Sequence, residues 1–177
     1  MKFDKSKCLK LLNERENLKK EGKLLRSYNK DKYDELIDYF IILEDQIFWD
    51  SREEYIKILD LFLKKKITIN DFSNQFRLLR RSNMDSQIMW ESDLKNEACG
   101  ISTQSNKTDF YLNSKSRGFA KIISNLYEWM NLYDPDITFE MDLKQPDLIN
   151  YGISEESLRL FIKKKFFPQL KEYCNKS

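Results

Sequence analysis

The sequence predicts an all-α protein, built as a four-helix bundle with an additional N-terminal helical extension. Several segments carry apolar residues at the three- and four-residue spacing of a helix that buries one face. The chain has only four glycines and three prolines, which are too few for a fold rich in turns. No segment shows the alternation of apolar and polar residues that is typical of a strand.

Residues 1–50 are predicted to form the helical extension. The first part, residues 1–30, is highly charged and is interrupted by Gly22, so we expect a helix of weak intrinsic stability there. Residues 33–49 show a much stronger pattern, because one helical stripe carries Leu36, Tyr39, Phe40, Leu43 and Ile47. A helix this apolar must be buried on more than one side or must cover a partner.

Residues 51–177 are predicted to form the bundle, with helices at 51–66, 68–90, 117–133 and 154–172. Capping residues mark three helix starts: Ser51 with Glu54, Thr68 with Asp71, and Ser154. Pro135 should end the third helix, because proline disfavours the helical conformation of the residue before it. Pro168 should kink or end the last helix. A long loop is expected at residues 93–117, where small polar residues follow one another without a period.

Several classes of function are excluded by the residue types. The chain has no histidine, and Cys8, Cys99 and Cys174 are widely spaced, so a Cys/His zinc site and a His-based catalytic triad are both ruled out. The sequence also lacks a glycine-rich phosphate loop and a serine elbow. We therefore expect a non-catalytic protein that needs no metal and no cofactor.

Net charge and hydropathy limit which partners and which cellular compartment are expected. The net charge of +2 argues against a nucleic-acid-binding protein, which would carry a clearly basic stripe. Arg77, Arg80 and Arg81 form only a basic patch of modest size. The N-terminus lacks the apolar core of a secretory signal, and the longest apolar run, at residues 39–43, is too short to cross a bilayer. The expectation is a soluble, cytoplasmic protein without a membrane partner.

The most informative segment lies between residues 134 and 156, where seven residues are acidic and only Lys144 is basic. A concentrated acidic surface on a nearly neutral protein suggests a basic partner, because like charges that lie close together repel one another. The candidate partner-binding residues are therefore Asp134, Asp136, Glu140, Asp142, Asp147, Glu155 and Glu156. Two simpler interpretations stay open: Asp134-Pro135-Asp136 also reads as a helix stop, and Glu155 and Glu156 also suit the first turn of a helix.

The order of these elements resembles a known family. The residues that carry the resemblance are Leu61-Phe62-Leu63, Lys66-Ile67-Thr68, Phe72-Ser73, Arg80-Arg81, Asp134-Pro135-Asp136, and Tyr151-Gly152-Ile153 with Leu158. Together they are similar to the bacterial self-protective colicin-like immunity proteins, of the colicin D immunity type. The resemblance covers roughly residues 54–170. Residues 1–50 have no counterpart in the short members of this family, and residues 93–117 look like an insertion.

The resemblance implies a four-helix bundle that binds the basic nuclease domain of a tRNA-cleaving toxin. In that family, acidic residues stand in for RNA phosphate and block the nuclease active site, and Asp134 and Asp136 would occupy that position here. The alternative is a structural or accessory helical subunit of a larger protein assembly. That function would use residues 1–30 and the apolar helix at 33–49 for docking onto other chains.

Overall fold

The computed structural model describes residues 3–101, 113–139, 141 and 152–174, and these residues are almost entirely helical. The all-α prediction is confirmed, since these ranges contain no strand beyond one isolated bridge between Tyr133 and Ile153. The helices are α1 (Lys5–Lys20), α2 (Leu25–Tyr28), α3 (Lys30–Asp50), α4 (Arg52–Leu63), α5 (Ile69–Ala98), α6 (Ser116–Met130), α7 (Glu155–Phe161) and α8 (Phe167–Cys174). A π-helical turn, Ile162–Phe166, joins the last two into one continuous helical segment.

Two of the three predicted caps are confirmed. Thr68 and Asp71 form a reciprocal capping box, in which the Asp71 N–H donates to Thr68 Oγ1 at 3.1 Å and the Thr68 N–H donates to Asp71 Oδ2 at 3.3 Å. At the start of α7, Ser154 Oγ accepts the N–H of Ser157 at 3.2 Å. Both starts depend only on neighbouring residues, which is why the sequence predicts them.

The predicted cap at Ser51 is wrong, because its hydroxyl has a different partner. Ser51 makes no side-chain cap of α4, and its Oγ lies 2.9 Å from Asn83 Oδ1 on α5. Asn83 is buried and donates through Nδ2 to the Tyr55 hydroxyl at 3.1 Å. This chain of hydrogen bonds satisfies polar atoms inside the protein and joins α4 to α5.

The loop predicted at residues 93–117 is wrong at its start, because helix α5 continues through Ala98. Its end agrees to within one residue, since α6 begins at Ser116. The extra turns of α5 are held by tertiary contacts: Leu94 is fully buried, Lys95 pairs with Glu16 at 3.3 Å, and Glu97 pairs with Lys5 at 2.9 Å. Burial and ion pairs with α1 thus extend a helix whose own periodicity fades.

Pro168 changes the hydrogen-bond pattern of the C-terminal segment without ending it. The N–H of Phe167 donates to the carbonyl of Ile162, five residues earlier, and the helix then runs on to Cys174. Proline has no N–H and its ring crowds the preceding turn. The wider π turn lies directly before Pro168, where the proline ring would crowd a regular α-helical turn.

The buried side chains form two hydrophobic clusters, and α3 and α5 contribute to both. The first cluster contains Phe48 and Trp49 of α3 with Phe72 and Phe76 of α5, together with residues of α4, α6 and the C-terminal segment. The second contains Leu94 of α5 with Cys8, Leu11, Leu12, Leu18, Leu25, Leu36, Tyr39 and Leu43. Residues 30–50 therefore pack on the later helices, and the apolar stripe of α3 is buried within the chain.

One carboxyl group lies in an unfavourable position between α3 and α6. Asp45 is only 9% exposed. Burial, as the largest cause, raises its pKa to about 6, while Arg117 on α6 opposes the rise and Glu44 adds to it. A pKa above the unfolded value means that the native state binds this proton more tightly. The contribution of Asp45 to stability is therefore greatest below about pH 4 and is lost as the pH rises through about 6.

We expect Asp45→Asn to increase the free energy of unfolding at pH 7 by about 1–3 kcal/mol, because an amide of the same shape does not pay for ionisation in a buried position. Urea unfolding at several values between pH 4 and pH 7 measures this. The difference between variant and wild type should shrink as the pH falls. Asp38→Asn, which changes an exposed carboxyl on the same helix, is the control. A difference that stays constant across this range would contradict the assignment.

Candidate functional site

The two ends of the predicted acidic segment lie side by side in the fold. After α6 the chain forms a parallel bridge between Tyr133 and Ile153. The Asp134 N–H donates to the Ile153 carbonyl at 3.0 Å, and the Ile153 N–H donates to the Leu132 carbonyl at 2.7 Å. Two acidic pairs that are distant in the sequence are thereby brought together. We call the surface formed by Asp134, Asp136, Glu155 and Glu156 the acidic junction.

Within the acidic junction, Asp134 and Asp136 differ in exposure and bonding. Asp134 is half-buried, and its Oδ1 accepts the N–H of Asp136 at 2.9 Å. Its backbone carbonyl also accepts the N–H of Ile137 at 3.2 Å. These bonds make Asp134-Pro135-Asp136 a tight turn, as the helix-stop interpretation expects. Asp136 is exposed at the tip of this turn.

Glycine is required at the contact between the two segments. Gly152 has φ of +84°, and an added Cβ would lie 2.8 Å from the Asp134 Cβ and 3.2 Å from the Leu132 carbonyl oxygen. Both the backbone conformation and the space exclude a larger residue. Gly152 therefore sets how closely the turn at Asp134 approaches the start of α7.

Glu155 and Glu156 also divide into one bonded and one exposed residue. Both lie in the first turn of α7, where the helix dipole favours negative charge. Glu155 is half-buried and pairs with Arg159 at 2.5 Å, whereas Glu156 is exposed. Burial, with smaller contributions from the charges of Glu155 and Asp134, raises the pKa of Tyr133. Tyr133 thus lies near one member of each acidic pair, Asp134 and Glu155.

Arg159 fixes this surface to the rest of the protein. Its side chain is 13% exposed, and its guanidinium lies 3.7 Å from the centre of the Phe62 ring. It donates to the Phe62 carbonyl and, at 3.4 Å, to the Ile67 carbonyl. One side chain therefore holds α7, the end of α4 and the turn before α5 together.

A cleft of about 590 Å³ opens beside the acidic junction. Its walls are Lys65, Lys66, Ile67, Thr68, Asp71, Glu155, Glu156 and Arg159. Two lysines and two glutamates line the same cleft, so positive charge opposes the acidic field on this side. The exposed carboxylates of Asp136 and Glu156 are the ones best placed to meet a basic partner.

The sequence predicts only part of this site. The structure brings Asp134, Asp136, Glu155 and Glu156 together, whereas Glu140, Asp142 and Asp147 lie outside the described residues. Sequence reasoning missed Lys65, Lys66, Tyr133 and Arg159. Only Arg159 left a signal, because it follows Glu155 at the four-residue spacing of a helical ion pair.

Across the described ranges, no three His, Cys, Asp or Glu side chains are grouped so that they could hold a metal ion. Nor does the described part of the chain contain a helix with the length and apolar character needed to cross a membrane. The acidic junction offers carboxylates on a framework held by backbone hydrogen bonds, which suits recognition of cationic groups.

Comparison with known proteins gives no relative: no family model, no curated protein and no solved structure matches this chain.

We expect Gly152→Ala to lower the free energy of unfolding by about 1–3 kcal/mol, because the new methyl group meets Asp134 and the backbone is strained. Chemical denaturation measures the loss. Gly22→Ala is the matched control, because Gly22 also has a positive φ, of 73°, but nothing lies within 4 Å of its Cβ position. The Gly152 variant should lose more stability than the Gly22 variant, and equal losses would show that the close contact with Asp134 has no energetic effect.

The backbone conformation of Lys65, which lines the cleft, also affects stability. Lys65 follows the C-cap of α4 in the left-handed conformation, with φ of 57°, and the Lys66 N–H donates to the Leu61 carbonyl at 2.9 Å. Glycine is the usual residue at this position of a Schellman motif. We expect Lys65→Gly to raise the free energy of unfolding by about 0.5–1 kcal/mol. Lys66→Gly, which removes the same charge at a position without positive φ, should not stabilise the protein.

Proposed function

We propose that this chain is a non-catalytic, immunity-type protein. In this proposal it binds the basic nuclease domain of a tRNA-cleaving toxin through the acidic junction and blocks the nuclease active site. The observation that carries the proposal is the Tyr133–Ile153 bridge, because it places the turn at Asp134 and Asp136 beside Glu155 and Glu156. The sequence resemblance implies that the same acid-Pro-acid element contacts the partner.

The carboxylates have two roles in this proposal. Asp136 and Glu156 are exposed, and they pair with lysine or arginine side chains that otherwise bind RNA phosphates. Asp134 and Glu155 hold the surface in shape, because Asp134 bonds the Asp136 N–H and Glu155 bonds Arg159. A framework that is ordered before binding loses little conformational entropy when the partner arrives.

Inhibition follows from occlusion. Carboxylates in the basic groove compete with the phosphates of the tRNA, and the helices behind them exclude the substrate by their bulk. Attraction between opposite charges speeds the encounter and fixes the register of the complex. The proposed scaffold is a four-helix bundle formed by α4, α5, α6 and the C-terminal helical segment, with α1–α3 packed on it. The mechanism needs no metal and no cofactor.

The test is binding of candidate toxin nuclease domains to the wild type and to Asp136→Ala/Glu156→Ala. We expect the double variant to bind about tenfold to a hundredfold more weakly, because two close charge pairs are lost. Binding is measured by calorimetry, and protection by the fraction of tRNA left uncut. The association rate of the wild type should also fall as salt rises from low to physiological concentration.

The matched control is Asp34→Ala/Glu54→Ala, which removes two exposed carboxylates away from the acidic junction and changes the net charge equally. This control should bind and protect as the wild type does. The proposal fails if the wild type binds none of the nuclease domains. It fails also if the Asp136/Glu156 variant protects tRNA as well as the wild type does.

The alternative, a structural or accessory subunit, rests on a different observation. The segments that first suggested docking, residues 1–30 and the helix at 33–49, are largely used inside the chain, where α1 and α3 supply most of the second cluster. The middle of α5 instead exposes large apolar side chains: Leu78, Met84, Ile88 and Met89. Recovery in a complex of fixed stoichiometry without a nuclease would favour this alternative. A neighbouring gene for a basic nuclease domain would favour the immunity function.

A further inference from the structure

The middle of α5 is exposed between two buried ends. Phe72 and Phe76 anchor its first part in one hydrophobic cluster, and Leu94 anchors its last part in the other. Between Phe76 and Leu94 the only buried side chain is that of Asn83. A helix that spans two cores is held rigidly at both ends, so its exposed middle keeps a fixed shape.

Four exposed residues form a straight stripe along this part of α5. Arg77, Arg81, Met84 and Ile88 follow one another at i, i+4, i+7 and i+11, which places them on one face of the helix. The stripe is about 16 Å long, or three helical turns. Met84 is 48% exposed and Ile88 is 64% exposed. We call these four residues, together with the neighbouring Arg80, the α5 stripe.

Within the described part of the chain, the arginines of the α5 stripe have no carboxylate partner at ion-pair distance. In contrast, Arg15, Arg52 and Arg159 each lie within 4.0 Å of a glutamate oxygen. Arginine is a strong donor to carboxylates because its planar fork matches their two oxygens. Three unpaired arginines on one helix therefore make a surface that favours an acidic ligand.

Contacts with α6 hold two of these arginines in place. The Arg80 guanidinium lies over the Tyr127 ring at 4.2 Å from its centre, and Arg77 donates to Asn131 Oδ1 at 3.2 Å. Arg80 Nε is buried and has no hydrogen-bond partner within the described part of the chain. Stacking on tyrosine fixes the plane of the guanidinium before any ligand binds, which lowers the entropic cost of binding.

We propose that the α5 stripe is the docking site for an acidic amphipathic helix of a partner protein. Acidic residues of the partner helix pair with the arginines at one end of the α5 stripe. Apolar residues of the partner helix pack on Met84 and Ile88 at the other end, and methionine adapts readily to different partners. A nucleic acid is the poorer match, because two of the five residues of the stripe are apolar and Arg80 already covers a face of Tyr127. This surface shares no residue with the acidic junction.

The probes are two synthetic peptides of about 18 residues, long enough to span the stripe. Each peptide is an amphipathic helix whose binding face carries glutamates in one half of its length and leucines in the other half. The order of the two halves is reversed in the second peptide. Each has a control peptide in which lysines replace the glutamates. Fluorescence anisotropy measures binding to the full chain. We expect one glutamate peptide to bind with a dissociation constant below about 100 µM, and the lysine versions to bind much more weakly.

Variants of exposed residues locate the site. We expect Arg77→Glu/Arg81→Glu to weaken binding of the glutamate peptide by at least about tenfold and to improve binding of its lysine version. Met84→Glu/Ile88→Glu should weaken binding of the glutamate peptide by at least about tenfold as well. The control Lys10→Glu/Lys57→Glu reverses two exposed charges elsewhere and should change binding by less than about twofold. Circular dichroism confirms that each variant is folded.

Four outcomes would overturn the proposal. Neither glutamate peptide saturates the protein at about 1 mM. The Arg77/Arg81 variant binds the glutamate peptide as well as the wild type does. A single-stranded RNA oligonucleotide competes for the stripe more strongly than the peptides do. Sedimentation shows that a second copy of this chain covers the stripe through Met84 and Ile88. Asp136→Ala/Glu156→Ala should bind the peptide normally, so this test stands apart from that of the immunity function.

Discussion

The acidic junction depends on the buried guanidinium of Arg159. This group stacks on Phe62, bonds two backbone carbonyls at and beyond the end of α4, and pairs with Glu155. The Phe62 carbonyl also accepts the Lys65 N–H at 3.0 Å, and the charged donor adds a stronger bond than a neutral one would. The same side chain therefore ties the end of α4 to the start of α7 and keeps Glu155 in place. Without it, the half-buried carboxylate of Glu155 would lose its ion-pair partner.

The bridge between Tyr133 and Ile153 also holds the acidic junction in place, together with Arg159. Arg159 positions α7 from one side, and two backbone hydrogen bonds tie the chain before α7 to the chain after α6 from the other. Gly152 permits this approach because it has no side chain to meet Asp134. Like charges that are held together repel one another. The acidic junction therefore forms because these backbone hydrogen bonds and the Arg159–Glu155 ion pair outweigh the repulsion between its carboxylates.

Features set by neighbouring residues could be predicted from the sequence, and features set by distant residues could not. The caps at Thr68 and Ser154 involve residues three positions away, so the sequence predicts them correctly. The predicted Ser51 cap does not form, because the Ser51 hydroxyl bonds Asn83, which is distant in the sequence. The end of α5 is missed because Leu94 is buried against α1 and α3. The sequence identifies the acidic residues. The structure is needed to show that a backbone bridge brings them together and that Asp136 and Glu156 are the exposed ones.

A net charge of +2 conceals two surfaces of opposite sign. The acidic junction begins at residue 134, and Arg77 of the α5 stripe bonds Asn131, three residues earlier in the chain. The end of α6 is therefore the boundary between the negative and the positive surface. Net charge describes solubility and long-range attraction, whereas recognition depends on how charges are distributed. If the proposed basic partner and the proposed acidic partner bound at once, they would attract each other across this boundary.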